Sequence, residues 1–165
     1  MFRNVIAASA IALSLAACAT PYQSMGYSGG FDSTWLSPNT LAVRVNGNGY
    51  TTADRVRDYT MLQAAERALE SGYSHFVISD RRDTSSRENV WVDTPTTTTT
   101  QGSVYGNTYY GTSTTTGGGY NMPVFRPSED TVFVMFEGVP DGYRPGQYFV
   151  AQDVYDELAP QYIDD

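Results

Sequence analysis

Residues 51–71 read TTADRVRDYTMLQAAERALES, and the architecture of the chain can be read outward from them. Met61, Ala64, Ala65, Ala68 and Leu69 recur at i, i+3, i+4, i+7 and i+8, with Leu62 flanking, which is the spacing of one apolar stripe on an α-helix. Thr51 followed by Asp54 makes a weak capping box, with Thr52 an alternative cap, and Gly72 is a natural stop. Three of the five stripe residues are Ala, so the helix can lie close on a sheet. Before it, Leu41, Val43 and Val45 alternate with Ala42 and Arg44, the period of a half-buried strand, and Gly47-Asn48-Gly49 breaks that strand. After it, Tyr73 to Asp80 carries Phe76, Val77 and Ile78, a second strand. Strand, helix and strand joined by short loops form a βαβ-like unit, and the pattern leaves open whether the two strands are adjacent or flank a third.

Further along, residues 131–137 (TVFVMFE) are apolar on both faces, Val132, Val134 and Phe136 on one and Phe133 and Met135 on the other, which places this strand centrally. Residues 138–147 hold two Pro and three Gly and read as a loop. Val150 to Ala159 reads as a short terminal helix, with Ala151, Val154, Tyr155 and Leu158 on one side and Pro160 ending it. Residues 94–120 are a Thr-, Gly- and Tyr-rich insertion. Two Thr runs flank a turn-like Tyr105-Gly106-Asn107, so a long hairpin with weakly paired hydroxyls is one reading and a disordered arm the other. A base near Val90 and Trp91 is expected to be ordered. The fold class is α+β: a sheet of three to five strands, one main helix, a C-terminal helix and the arm.

Before residue 40 the chain changes character. Arg3 opens a short charged region, Val5 to Leu15 form an apolar run, and small residues follow, which is the layout of a secretory signal over residues 1–17. The run is shorter than the roughly 20 residues of a membrane-spanning helix. Leu15-Ala16-Ala17-Cys18 resembles a bacterial lipobox, and that resemblance implies cleavage before Cys18 and acylation of its thiol and new amine. Ala19 in place of Asp implies delivery to the outer membrane. Residues 18–30 are Gly/Ser/Pro-rich and read as a flexible tether of roughly 40 Å when stretched. Phe31, Trp35 and Leu36 are where the chain is expected to dock onto a single domain spanning 31–165.

The composition excludes several classes. In 165 residues there are 10 basic residues, all Arg, against 18 Asp and Glu, for a net charge of −8. Nucleic-acid binding needs a basic footprint, and so does a polybasic membrane patch. Removing residues 1–17 takes Arg3 away and moves the charge to −9. One Cys allows no internal disulfide, and one His argues against a His-based zinc site.

The stretches Thr20-Pro21-Tyr22-Gln23, Gly47 to Thr51, Arg55 to Glu66 and Gly72 to Ile78 carry a further resemblance. Together with the lipobox they resemble a family of small bacterial envelope lipoproteins of Caulobacter type, patterned Gly-Asn, Thr cap, Asp-Tyr, Ala-Ala-Glu, then Gly-Tyr-x-x-Phe. The match spans residues 18–80. It implies a periplasm-facing lipoprotein, implies no activity and carries no catalytic residue over. The matching Asp58, Tyr59, Glu66 and Tyr73 read as fold determinants.

The chemistry-bearing candidates are few. His75 is the only side chain with an ordinary pKa near neutrality, and a role as base beside Asp80 or Asp83 competes with that of a plain strand-edge residue. Asp80-Arg81-Arg82-Asp83 lacks the ligand count and glycine of a calcium loop and reads better as a solvated turn. Gly47-x-Gly49 has no Lys or Arg at the right spacing and no third glycine for an anion site, and reads better as a turn. Asp80 or Asp83 with Glu88 is the acidic pair that an alternative reading, a cell-wall glycan-acting enzyme, would need. The preferred expectation is a non-enzymatic, lipid-anchored envelope protein without cofactor or metal. Its membrane contact is through Cys18, and Tyr105, Tyr109, Tyr110 and Tyr120 offer a surface for an envelope protein or polysaccharide. O-glycosylation of the Thr runs is a third possibility.

Overall fold

The stretch around Phe133 is the middle strand of five, as expected, with one face buried and the other half-buried. The computed structural model describes residues 18–163; the expected signal sequence lies outside them. In chain order the elements are β1 (Gly30–Ser37), β2 (Thr40–Asn46), α1 (Ala53–Glu70), β3 (His75–Asp83), β4 (Ser86–Asp93), β5 (Thr97–Tyr105) and β6 (Thr108–Thr116). They continue with β7 (Gly119–Arg126), β8 (Ser128–Phe136), β9 (Phe149–Val150) and α2 (Ala151–Tyr162). The main sheet runs β1-β2-β8-β3-β9 with every neighbour antiparallel. Strands β2 and β3, joined by α1, are therefore parallel to each other with β8 inserted between them. The chain divides into two units: residues up to Ser86 together with those from Phe125 on, and Arg87–Val124.

In the first unit, α1 and α2 cover one face of the sheet. Leu41, Val43 and Val45 of β2, Phe133 and Met135 of β8, and Phe76 of β3 supply the buried layer, none more than 1% exposed. Phe76 stands edge-on to Phe133 at 5.5 Å and stacks on Phe149 at 5.4 Å. Each such side chain contributes about 1.5–3 kcal/mol by leaving water.

Helix α1 is capped by Thr52, whose Oγ1 accepts the Arg55 N–H at 3.2 Å. At the other end Gly72 takes φ +82°, its N–H donates to the Leu69 carbonyl, and the Tyr73 N–H reaches back to Ala68, a Schellman closure. The buried set is wider than the predicted stripe. Val56, Tyr59, Thr60 and Gln63 join Leu62, Ala64, Ala65 and Ala68, while Met61 and Leu69 sit half-buried at the rim. The helix faces the sheet on one side and meets α2 on another, where Tyr59 and Tyr162 stand edge to face at 5.1 Å and the Tyr162 hydroxyl donates to Asp58 at 2.6 Å. A single-stripe reading assumes one neighbour.

Three other expectations are corrected. Helix α2 does not end at Pro160 but runs to Tyr162; the ring is exposed, and the Ile163 N–H bonds to the Ala159 carbonyl beyond it. Strand β3 runs past Asp80 to Asp83 through a register shift between Ile78 and Asp80, so Arg81-Arg82-Asp83 is strand, not turn. Residues 18–24 do not extend as a tether. Thr20 is 1% exposed, Tyr22 packs on Phe31 at 4.4 Å, and Gln23 to Met25 lie along the outer edge of β1. Gly/Ser/Pro composition measures what a segment lacks for a core of its own, not what it can donate to a neighbour's.

The second unit is a pair of two-stranded sheets, β4 with β7 and β5 with β6. Of the two readings of the arm, the hairpin is observed. Gly106 at φ +63° and Asn107 make the two-residue turn, and the register runs Tyr105↔Thr108 through Thr97↔Thr116.

Candidate functional site

Three regions carry the residues singled out above. The first is the end of the domain that holds Cys18. Cys18 is exposed, and its carbonyl accepts from Asn48 Nδ2 at 3.0 Å. Two residues on, the Thr20 N–H donates to Thr51 Oγ1 at 2.9 Å, Thr20 Oγ1 donates to the Ser28 carbonyl at 2.8 Å, and the Tyr59 hydroxyl donates to the Thr20 carbonyl at 2.8 Å. Thr51, a candidate cap by sequence, is spent on this junction instead. Tyr22 completes it: its hydroxyl donates to the Glu66 carboxylate, with Gln63 Oε1 3.1 Å away. Burial, reinforced by the Glu66 carboxylate, pushes the Tyr22 phenol up, and burial raises Tyr59 as well. Burial also raises Glu66 above the usual carboxylate range, against the Tyr22 hydrogen bond that pulls it down. Burial and the Asp58 hydrogen bond push Tyr162 up to about 12. The four positions read as fold determinants each make a tertiary bond: Asp58 to Tyr162, Tyr59 to Thr20, Glu66 to Tyr22, and Tyr73 to the Pro38 carbonyl at 2.8 Å.

The second region is the face of the main sheet away from the helices. The register lines up Asp32, Arg44, Asp130 and Arg82 on β1, β2, β8 and β3, a row of alternating charge. Arg44 holds Asp130 with both Nε (2.8 Å) and Nη2 (3.2 Å), and this bond raises the guanidinium further. A shallow depression of about 350 Å³ lies over this row and is also lined by Asp80 and Thr34. The pair is solvent-exposed, so it adds little to stability. Alternation beyond the register shift puts Asp80 with Arg82 on this face, and Arg81 and Asp83 on the other. There Arg81 pairs with Glu129, and hydrogen bonds from the Ser85 hydroxyl and N–H hold Asp83 below its usual range. Glu88 is on β4, in the second unit. Among the described residues no three of His, Cys, Asp and Glu come together as a metal site would need.

His75 lies at the start of β3, its ring edge-on to Tyr148 at 5.4 Å and its Nδ1 2.7 Å from Ser74 Oγ. This contact does not make a nucleophile. The Ser74 hydroxyl gives its one proton to the Glu137 carbonyl at 2.6 Å, so its lone pairs face the imidazole and accept from it. The pair closes the strand end where β3 meets the loop after β8.

The third region is the arm. Tyr105, Tyr109, Tyr110 and Tyr120 are all more than half exposed. They do not form one patch: Tyr109 lies on one face of the ribbon, Tyr105 and Tyr110 on the other, and Tyr120 on β7. The Tyr109 ring covers the cross-strand pair Gly102 and Gly111, where an added Cβ would come within 2.3 and 2.5 Å of it, and the Trp91 ring covers Gly119 in the same way at 2.4 Å. Flanking Tyr109, Thr100 and Ser113 share a hydroxyl bond at 2.9 Å, as do Thr98 and Thr115 at 3.1 Å. The glycine pair opposite an aromatic was visible in the sequence only as composition; the register gives it meaning. No family model, curated protein or solved structure matches the chain.

Proposed function

We propose that this chain is a lipid-anchored protein of the bacterial envelope, held at the periplasmic face of the outer membrane through acyl groups on Cys18, and that it acts there by binding rather than by catalysis. The observation that carries this reading is Cys18, which ends the stretch Leu15-Ala16-Ala17-Cys18 and stands exposed just ahead of the buried Thr20. An exposed sulfur is what acyl transfer requires. With Thr20 locked, the lipid would have a reach of only about 7 Å before the chain joins the first unit. That unit would then lie against the headgroups, with the exposed rings of Tyr27 and Tyr50 near the anchored end. Each buried methylene contributes about 0.8 kcal/mol, so two or three chains hold where one would let go.

Cys18→Ser tests the reading in the native host. The expected result is a precursor that keeps residues 1–17, takes up no labelled fatty acid and leaves the outer-membrane fraction. A Ser variant that is still cut and labelled, or a native chain with an unmodified thiol by intact mass, overturns it.

A further inference from the structure

From Thr94 to Phe125 the chain has no charged residue, and from Thr97 to Thr116 it has no Pro. Charges, prolines, bulges and short strands are the means by which proteins keep exposed strand edges from pairing with other chains. The main sheet uses them. The first half of β1 is covered by Gln23 to Met25, and its open face carries Asp32. On the other side β9 is two residues long, and the part of β3 beyond it reads Asp80-Arg81-Arg82-Asp83. The β5–β6 ribbon has none. Among the described residues its two strands pair only with each other, so both outer edges are open, and every residue in them is exposed.

The register identifies which backbone groups those edges present. In a hairpin with a two-residue turn the closing pair, Tyr105↔Thr108, is a hydrogen-bonded pair, and bonded pairs alternate from there. The intervening pairs Val104↔Tyr109, Gly102↔Gly111, Thr100↔Ser113 and Thr98↔Thr115 turn their N–H and C=O groups outward. Side chains stand closest across such pairs, and the observed hydroxyl bonds fall on two of them, Thr100–Ser113 and Thr98–Thr115.

We propose that the β5–β6 ribbon is a self-association element that adds edge to edge, antiparallel, to the same ribbon of a second copy of this chain. The ribbon already demonstrates the pairing it would repeat: one Thr-rich strand beside another, neutral against neutral, with hydroxyls meeting across non-bonded pairs. An antiparallel junction of identical strands is isologous, so each copy contributes the same groups. The proposal does not depend on the anchor at Cys18.

Ser113→Pro and Thr100→Pro remove one outward N–H each and leave the inward ladder intact, because neither N–H serves the hairpin. In light scattering on the purified full chain across a concentration series, the unaltered protein is expected at twice the single-chain mass or more. The double variant is expected at the mass of one chain, with the Trp35 and Trp91 fluorescence unchanged. If proline disturbs the hairpin, as a loss of strand signal in far-UV circular dichroism would show, Ser113→Lys with Thr100→Lys serves instead: association is lost at low salt and partly returns at high salt. An unaltered chain that stays single at every concentration, or association undiminished in the folded proline or lysine variants, overturns the proposal.

Discussion

The five-stranded sheet and the β5–β6 ribbon are built from the same secondary structure but held by different forces. In the sheet, alternate residues of β2 and β8 are buried against α1, and apolar area removed from water does most of the holding. In the ribbon no residue is buried. What remains is the ladder of backbone bonds, two hydroxyl pairs and an aromatic ring shielding two glycines. Strand propensity is therefore sufficient to shape a segment and insufficient to stabilise it; an isolated hairpin is marginal in water.

Each unit holds one of the two Trp residues, Trp35 in the sheet and Trp91 in the arm, so single-Trp variants report the two separately. The largest expected effect is on the sheet. Phe133→Ala removes a fully buried ring from the central strand and costs about 3–5 kcal/mol, measured as a fall in the urea midpoint at Trp35. The contrast between the units breaks if the Trp91 transition shifts by the same amount, because the two would then unfold as one cooperative body. A smaller effect is expected in the arm. Thr100→Val deletes one hydroxyl pair, worth roughly 0.2–1 kcal/mol, and leaves the Trp35 midpoint in place.

The smallest expected effect concerns pH. Glu66 is raised chiefly by burial, so the folded state binds its proton more tightly than the unfolded chain does. Its contribution to stability is full below the ordinary carboxylate range and is lost as pH rises through the raised value. Glu66→Gln removes that dependence and still offers Tyr22 an acceptor. The thermal midpoint of the unaltered chain should therefore fall relative to Glu66→Gln between mildly acid and neutral pH. Glu66 belongs to the first unit, so the midpoint read at Trp91 should be the same in the two chains at every pH. A constant difference across pH would mean that Glu66 is better solvated than its position indicates.

Periodicity and punctuation made the local elements legible in the chain: the helix over 53–70, its Gly72 stop, the alternation of β2, the central place of β8 and the hairpin turn at Gly106. These follow from short-range sterics and from which side of an element must avoid water, and both act within a few residues. The insertion of β8 between β2 and β3, the burial of Thr20, the choice of Thr52 over Thr51 as cap, the row Asp32, Arg44, Asp130 and Arg82, and the ring of Tyr109 over Gly102 and Gly111 were decided by the tertiary structure alone. The place of β8, the charged row and the Tyr109 contact depend on strand pairing, where a one-residue slip moves side chains to the opposite face. The Thr20 burial and the cap choice depend on hydrogen bonds between segments 31 and 39 residues apart in the chain.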